Sequence, residues 1–295
     1  MIIGASDLFI PRIERRRRFG HWFALGCVLL SGIGLAVLGI LIVRVLWEGS
    51  TWVTTTFLTN FPSVLSPETA GIKSALWGSI WLIGITALVS VPIGVAAAVY
   101  LEEYAPHNRL TGFIHLNINN LAGVPSIVYG ILGLAVFVRW CRFDRSVLAG
   151  ALTLSLLVLP VIIIASREAL LAVPKSFRLA AYALGATKWQ TVRSHVLPAA
   201  LPGIMTGIIL AISRAIGEAA PLIMIGALTY VAFVPQGPLD AFTALPVQIY
   251  DWSDRPQPEF QHLAAAGIIV LLGILLPMSA VAVVVRAWQQ RKKAW

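Results

Sequence analysis

The chain has 295 residues, of which 58% are hydrophobic and only 12% charged, with a mean hydropathy of +0.84. Ordinary soluble globules are about one quarter charged, so apolar surface on this scale needs lipid to cover it. The formal net charge of +9 does not point to nucleic acid, because the basic residues cluster at the ends of apolar runs, as in an integral membrane protein.

No polar stretch is long enough for a separate folded domain. The sequence predicts an all-α membrane domain at 20–286, between a basic tail at 1–19 and a second at 287–295. A spanning helix needs roughly 20 apolar residues, and the runs at about 20–46, 74–101, 115–138, 147–167, 200–230 and 262–286 qualify as six spans. The first, from Phe19 to Val43, exceeds a signal-peptide apolar core of about 7–15 residues and is followed by no Ala-x-Ala, so it reads as an uncleaved span.

Six spans place both termini on one side. With the N-terminus in the cytoplasm, the inner segments hold Arg12, Arg15 to Arg18, Arg109, Arg167, Lys175, Arg178, Lys188, Arg193, Arg286, Arg291, Lys292 and Lys293. The outer ones hold Arg44, Lys73, Arg139, Arg142, Arg145 and Arg255. That asymmetry sets the orientation and puts a loop at about 168–199 in the cytoplasm. Arg139, Arg142 and Arg145 depart from the rule locally. The outer loop at about 231–261 carries four acidic residues and five prolines. Within it, Leu245 to Trp252 reads as a short interfacial helix with Ile249 and Trp252 toward lipid, either an aromatic anchor or a docking surface for an external partner.

Enzymatic chemistry finds no support. There is no P-loop, no Gly-x-Ser-x-Gly and no His-x-x-x-His, so no catalytic residue, metal site or cofactor is expected on this chain. Cys27 and Cys141 lack partners at metal-binding or redox spacing and read as packing residues. Arg214 and Glu218 lie four residues apart in the fifth predicted span, on one helix face and near its middle. Charges there are costly and face a bundle interior or a water-filled path, so a substrate path is favoured over a structural clamp. Gly203 and Gly207 form a GxxxG suited to close helix packing. Asn119 and Asn120 open the third span, where they could line the path or bond across helices.

The loop reads Arg178-Leu-Ala-Ala-Tyr-Ala-Leu-Gly185, and Leu197-Pro198 follows twelve residues on. This spacing resembles the coupling loop of ABC-importer permeases: Glu-Ala-Ala, three residues, glycine, nine residues, Ile-x-Leu-Pro. Pro174, Arg178, Ala180, Ala181, Gly185, Leu197 and Pro198 fall within it, with Leu179 in place of the glutamate and His195 in place of the isoleucine. From the second span onward the chain also resembles the PstA-type permease family of phosphate ABC importers. The likeness runs through Tyr100-Leu-Glu-Glu-Tyr-Ala-Pro106, the segment from Asn119 to Gly130, Ser213-Arg-Ala-Ile-Gly-Glu-Ala-Ala-Pro221 and Leu245-Pro-Val-Gln-Ile-Tyr250.

That resemblance implies a type I ABC-importer architecture in the bacterial cytoplasmic (inner) membrane. It implies a homologous second permease (PstC-type), two ATPase subunits (PstB-type) that use ATP and magnesium, and an external phosphate-binding protein (PstS-type). Inorganic phosphate would be the solute. A permease for another oxyanion or a phosphonate, or a self-contained channel, is the alternative.

Overall fold

A computed structural model describes residues 13–106, 108–227 and 230–292. Arg12, Lys293 and the chain ends beyond them lie outside this set, as do the side chains of Arg15 to Arg18, Arg286, Arg291 and Lys292. In chain order the helices are α1 (Ile13–Gly49), α2 (Thr55–Thr59), α3 (Lys73–Val99), α4 (Arg109–Ala122), α5 (Ser126–Gly133), α6 (Val147–Leu171), α7 (Lys175–Ala183), α8 (Lys188–Thr191), α9 (Leu197–Ile216), α10 (Ala220–Ile225), α11 (Leu245–Ser253) and α12 (Pro258–Lys292). Turns of π-helix extend α3 through Tyr104 and α5 through Trp140, and join α8 to α9. Among the described residues, five continuous helices are long and apolar enough to cross a membrane, or six if the bent pair around α4 and α5 counts as one span.

The fold is built around α6. A helix apolar on every face must be enclosed, and Val147, Ala151, Val158, Ile162 and Leu170 are almost wholly buried. It packs between α3 and α9. Small side chains and interhelical hydroxyls do the joining, as lipid leaves no hydrophobic drive between helices. The Thr86 hydroxyl donates to the Ala151 carbonyl at 3.2 Å, and the Ser155 hydroxyl donates within α6 to the same carbonyl. On the other side, a Cβ added at Gly203 would lie 2.8 Å from Ala169 Cβ, and one at Gly207 would collide with Ala165 Cβ. Both glycines therefore serve close approach between α6 and α9.

Helix α1 is different. Its span is apolar and unburied, and its end docks where Gly49 meets the backbone of Ala265 and Ala266 in α12. Cys27 and Cys141 are exposed thiols without a bridge, so neither is a core packing residue.

Four sequence expectations change. The third span is not one helix: α4 and the helix that begins at Ser126 meet at 100° across Gly123, Val124 and Pro125. Proline removes an amide donor and pushes the preceding residue out of the helical region, which ends α4 here. The fifth span starts earlier, at Lys188, and α9 stops at Ile216, with Gly217 at its cap. The loop expected at 168–199 is correspondingly shorter, and Leu197 and Pro198 stand in the first turn of α9. The helix at 245–252 is present, but it inserts into the bundle. Trp252 and Leu245 are buried against Phe57, Phe260 and Leu263, and the Leu245 amide donates to Ser79 Oγ at 2.9 Å. Only Tyr250 of its aromatic residues is exposed.

The α6–α9 contact generates a stability test. Gly207→Leu should force these helices apart and cost about 1–3 kcal/mol, read as a lower thermal midpoint of the purified protein in detergent. Gly39→Leu, at a glycine with open space around it, should leave that midpoint unchanged. Equal midpoints for the two variants would refute the close-packing role.

Candidate functional site

Two regions carry the polar chemistry. The first is the segment around α7. Pro174 precedes the helix, and the apolar residues Phe177, Leu179, Tyr182 and Leu184 are all exposed, Leu179 by 67% and Leu184 by 89%. Ala180 points outward beside Phe177 and Leu184, where they edge a shallow concavity with His195, whereas Ala181 is buried against the protein itself. The paired alanines thus have separate roles, one beneath the helix and one on its outer face. An apolar face this concentrated on a loop marks a docking surface.

The exit from α7 is fixed by its glycine. Gly185 has φ +79°, its amide donates to Tyr182 O at 2.9 Å, and the Ala186 amide donates to Ala181 O at 3.0 Å. That pair of bonds is a Schellman cap, which needs a left-handed residue at this position. The chain then restarts immediately. Thr187 Oγ1 accepts from the Gln190 amide while Gln190 Oε1 accepts from the Thr187 amide, a capping box for α8. The spacing Thr187-x-x-Gln190 was a readable signal for that restart.

Arg178 does not face outward with its neighbours. Its guanidinium makes a fork to Glu103, with Nη2 at 2.6 Å and Nε at 3.1 Å from Oε1. Nη1 also donates to Val173 O and Nη2 to Leu170 O, the carbonyls at the end of α6. One side chain therefore fastens α7 to the ends of α3 and α6. Beside it, Arg167 Nε donates to Glu102 Oε2 at 3.0 Å. These contacts assign a task to both carboxylates of Tyr100-Leu-Glu-Glu-Tyr104.

The second region is the break after α9. Arg214 Nε donates to Glu218 Oε1 at 3.2 Å, so the pair forms as expected. Its setting differs from expectation. Arg214 sits in the last turn of α9, and Glu218 lies beyond the helix end in a bend closed by Gly217 N to Arg214 O and Glu218 N to Ala215 O. Seventeen residues separate Arg214 from Leu197, a rise of about 26 Å, which places the pair at the end of α9 farthest from α7. Arg214 is 50% and Glu218 18% exposed. Among the described residues only Nε of Arg214 has a partner, so the two terminal nitrogens of the guanidinium are open. Next to it, Ser213 Oγ is buried without a hydrogen bond.

The two broken segments meet. Helix α5 packs on α10, with Gly130 against Pro221 and Met224, and Tyr129 OH reaches back over the first break to Leu121 O at 2.8 Å. Irregular backbone at membrane depth is tolerated where protein or a water-lined cavity covers it. Asn119 and Asn120 lie exposed just before the first break, without hydrogen bonds to Arg214 or Glu218. Among the described residues no group of three His, Cys, Asp or Glu side chains could hold a metal ion.

Comparison with known proteins agrees with this geometry. Residues 90–293 match the family described as binding-protein-dependent transport system inner membrane component. The chain is 34% identical over 256 residues to the probable ABC transporter permease protein YqgI of Bacillus subtilis (strain 168), covering 83% of this chain and 87% of the relative. It is 38% identical over 191 residues to phosphate transport system permease protein PstA 1 of Mycobacterium tuberculosis (strain CDC 1551 / Oshkosh), covering 63% of this chain and 61% of that one. A solved bacterial alginate ABC transporter, in complex with an alginate-pentasaccharide-bound periplasmic protein, contains a chain similar in fold. It has a TM-score of 0.61 at 14% identity, covering 91% of this chain and 93% of that one.

The Arg178 fork predicts a local opening. Glu103→Gln should release α7 and speed tryptic cleavage after Lys175 about tenfold, since truncating one partner of a buried charged pair costs several kcal/mol. The exchanged pair Glu103→Arg with Arg178→Glu should recover part of the protection. Cleavage as slow in Glu103→Gln as in the parent would show that the fork does not hold the helix.

Proposed function

Because the chain belongs to the binding-protein-dependent transport system inner membrane components, we propose that it is the PstA-type permease subunit of an ATP-driven importer of inorganic phosphate. It works as a multi-pass protein of the bacterial cytoplasmic membrane, beside a homologous second permease. The chain itself binds no cofactor. ATP and magnesium are used by separate ATPase subunits docked at α7, and a phosphate-binding protein delivers the solute outside. The exposed apolar face of α7 supports the docking site, and Leu179 contributes an apolar contact where the coupling-loop pattern that this segment resembles has glutamate.

The observation that carries the phosphate reading is the half-engaged guanidinium of Arg214 at the break after α9, next to the buried and unpaired Ser213 hydroxyl. Arg178 and Arg255 each use all three nitrogens on protein acceptors, and so act as fasteners. Arg214 keeps its forked end free, the geometry that suits a tetrahedral oxyanion. Phosphate carries about −1.5 to −2 charges near neutral pH and retains a proton that Glu218 can accept a hydrogen bond from. While the path is empty, Glu218 offsets part of the cost of placing Arg214 in the membrane.

Uptake of labelled phosphate by the assembled importer tests this. Arg214→Gln should assemble and hydrolyse ATP, yet accumulate at least tenfold less phosphate. Arg214→Lys should also be poor, because a point charge lacks the fork. Normal uptake by Arg214→Gln would sink the path role, and loss of assembly in both variants would make the pair a clamp. Orientation has its own check, with Cys27 and Cys141 replaced by serine. A membrane-impermeant thiol label should reach Asp240→Cys in intact cells and Thr187→Cys only after the membrane is opened.

A further inference from the structure

A groove of about 910 Å³ runs between α3 and α9. Its walls are apolar, with Val91, Val95 and Val99 on one side and Leu201, Met205 and Ile208 on the other. It extends from Val91 to Tyr104, thirteen residues of helix or about 20 Å, more than one leaflet of a hydrocarbon core about 30 Å thick. The end nearest α7 changes character. Tyr100, Tyr104 and Trp189 line it there with Arg193, and Lys188 Nζ stands 5.2 Å above the Tyr104 ring.

The charge at that end is unbalanced. The two carboxylates in the same turn as Tyr104 are already committed, Glu102 to Arg167 and Glu103 to Arg178. Lys188 and Arg193 are exposed and, among the described residues, make no ion pair. An aromatic rim marks the depth of the membrane interface, and basic pockets between spanning helices take acidic lipid headgroups.

We propose that this groove is a binding site for an anionic phospholipid. The phosphodiester sits between Lys188 and Arg193 at the aromatic rim, and one acyl chain lies along the valine and leucine walls between α3 and α9. A neighbouring permease helix is the competing occupant. It would leave two cations uncompensated unless it brought its own carboxylates to the same depth, whereas an acidic headgroup supplies the charge and the tail supplies the length. The inference does not depend on which solute the chain carries.

The test uses the full-length chain in its purified complex, in nanodiscs of mixed phosphatidylcholine and phosphatidylglycerol, with bound lipid read by native mass spectrometry after detergent exchange. Phosphatidylglycerol should be retained in preference to phosphatidylcholine. Lys188→Gln and Arg193→Gln should each lower its retention roughly fivefold, and Arg193→Lys should keep it. Ile208→Trp, which fills the groove without changing charge, should lower retention as well, and Arg139→Gln elsewhere should not. Equal retention of the two lipids, or full retention in the Lys188→Gln/Arg193→Gln pair, would overturn the proposal. So would displacement of the lipid by excess inorganic phosphate. Finally, Met205→Cys should cross-link to a photoreactive acyl chain; cross-linking to the neighbouring permease in its place identifies the groove as a subunit interface.

Discussion

Backbone groups in hydrocarbon have no water to bond, and that constraint organises this molecule. Each peptide must find its partner inside the protein, so the spans are long helices and every interruption is patched. The break at Gly123 to Pro125 is closed by the Gly123 and Val124 amides on Asn120 O and Leu121 O, with Tyr129 OH on Leu121 O as well. The break after α9 is closed by short-range bonds from Gly217 and Glu218. Both lie at the starts of α5 and α10, which cover each other. The two broken segments face each other, and Arg214, with two guanidinium nitrogens unpaired among the described residues, is at one of them.

Three arginines illustrate how surroundings decide role. Arg255 donates to Asp251 and to Val64 O and lies 4.5 Å from the Phe260 ring, tying the 50–71 segment to the start of α12. Arg178 is as fully engaged, at the opposite face. Arg214 spends one nitrogen on Glu218 and leaves two. A sequence cannot rank them, since all three have a carboxylate within reach, two at the same four-residue spacing. What separates them is the number of carbonyls brought near by distant elements, and that follows from packing.

Much was nevertheless legible. The apolar segments follow from hydropathy, because each depends on local chemistry. The Arg214–Glu218 contact was readable from its spacing, but its place in the last turn of a helix was not, because an apolar run does not reveal where Gly217 ends α9. Trp252 was read as lipid-facing because aromatic residues favour interfaces, whereas its burial under Phe57 and Phe260 depends on a segment nearly two hundred residues earlier. Arg178 was read with its neighbours in the loop, since Glu103 is seventy-five positions away.

The same packing defines how a push on α7 could reach Arg214. A flexible loop would absorb displacement, but Arg178 joins α7 to carbonyls at the end of α6 and to Glu103 beyond α3, so these three move together. Helix α6 is seated on α9 through Gly203 and Gly207, where no side chain cushions the contact. Close-packed helices shift as bodies, and the far end of α9 carries Arg214. Motion alone does no work on a solute, however. Under the path role proposed for Arg214, ATP-driven transport requires the guanidinium to favour Glu218 in one state and phosphate in the other, since a ligand can bias an equilibrium only by its difference in affinity for the two states. The bend at Gly217 supplies the means. Glu218 is held to Arg214 from outside the helix, so a small rotation of α9 against α10 changes their separation without unwinding a turn.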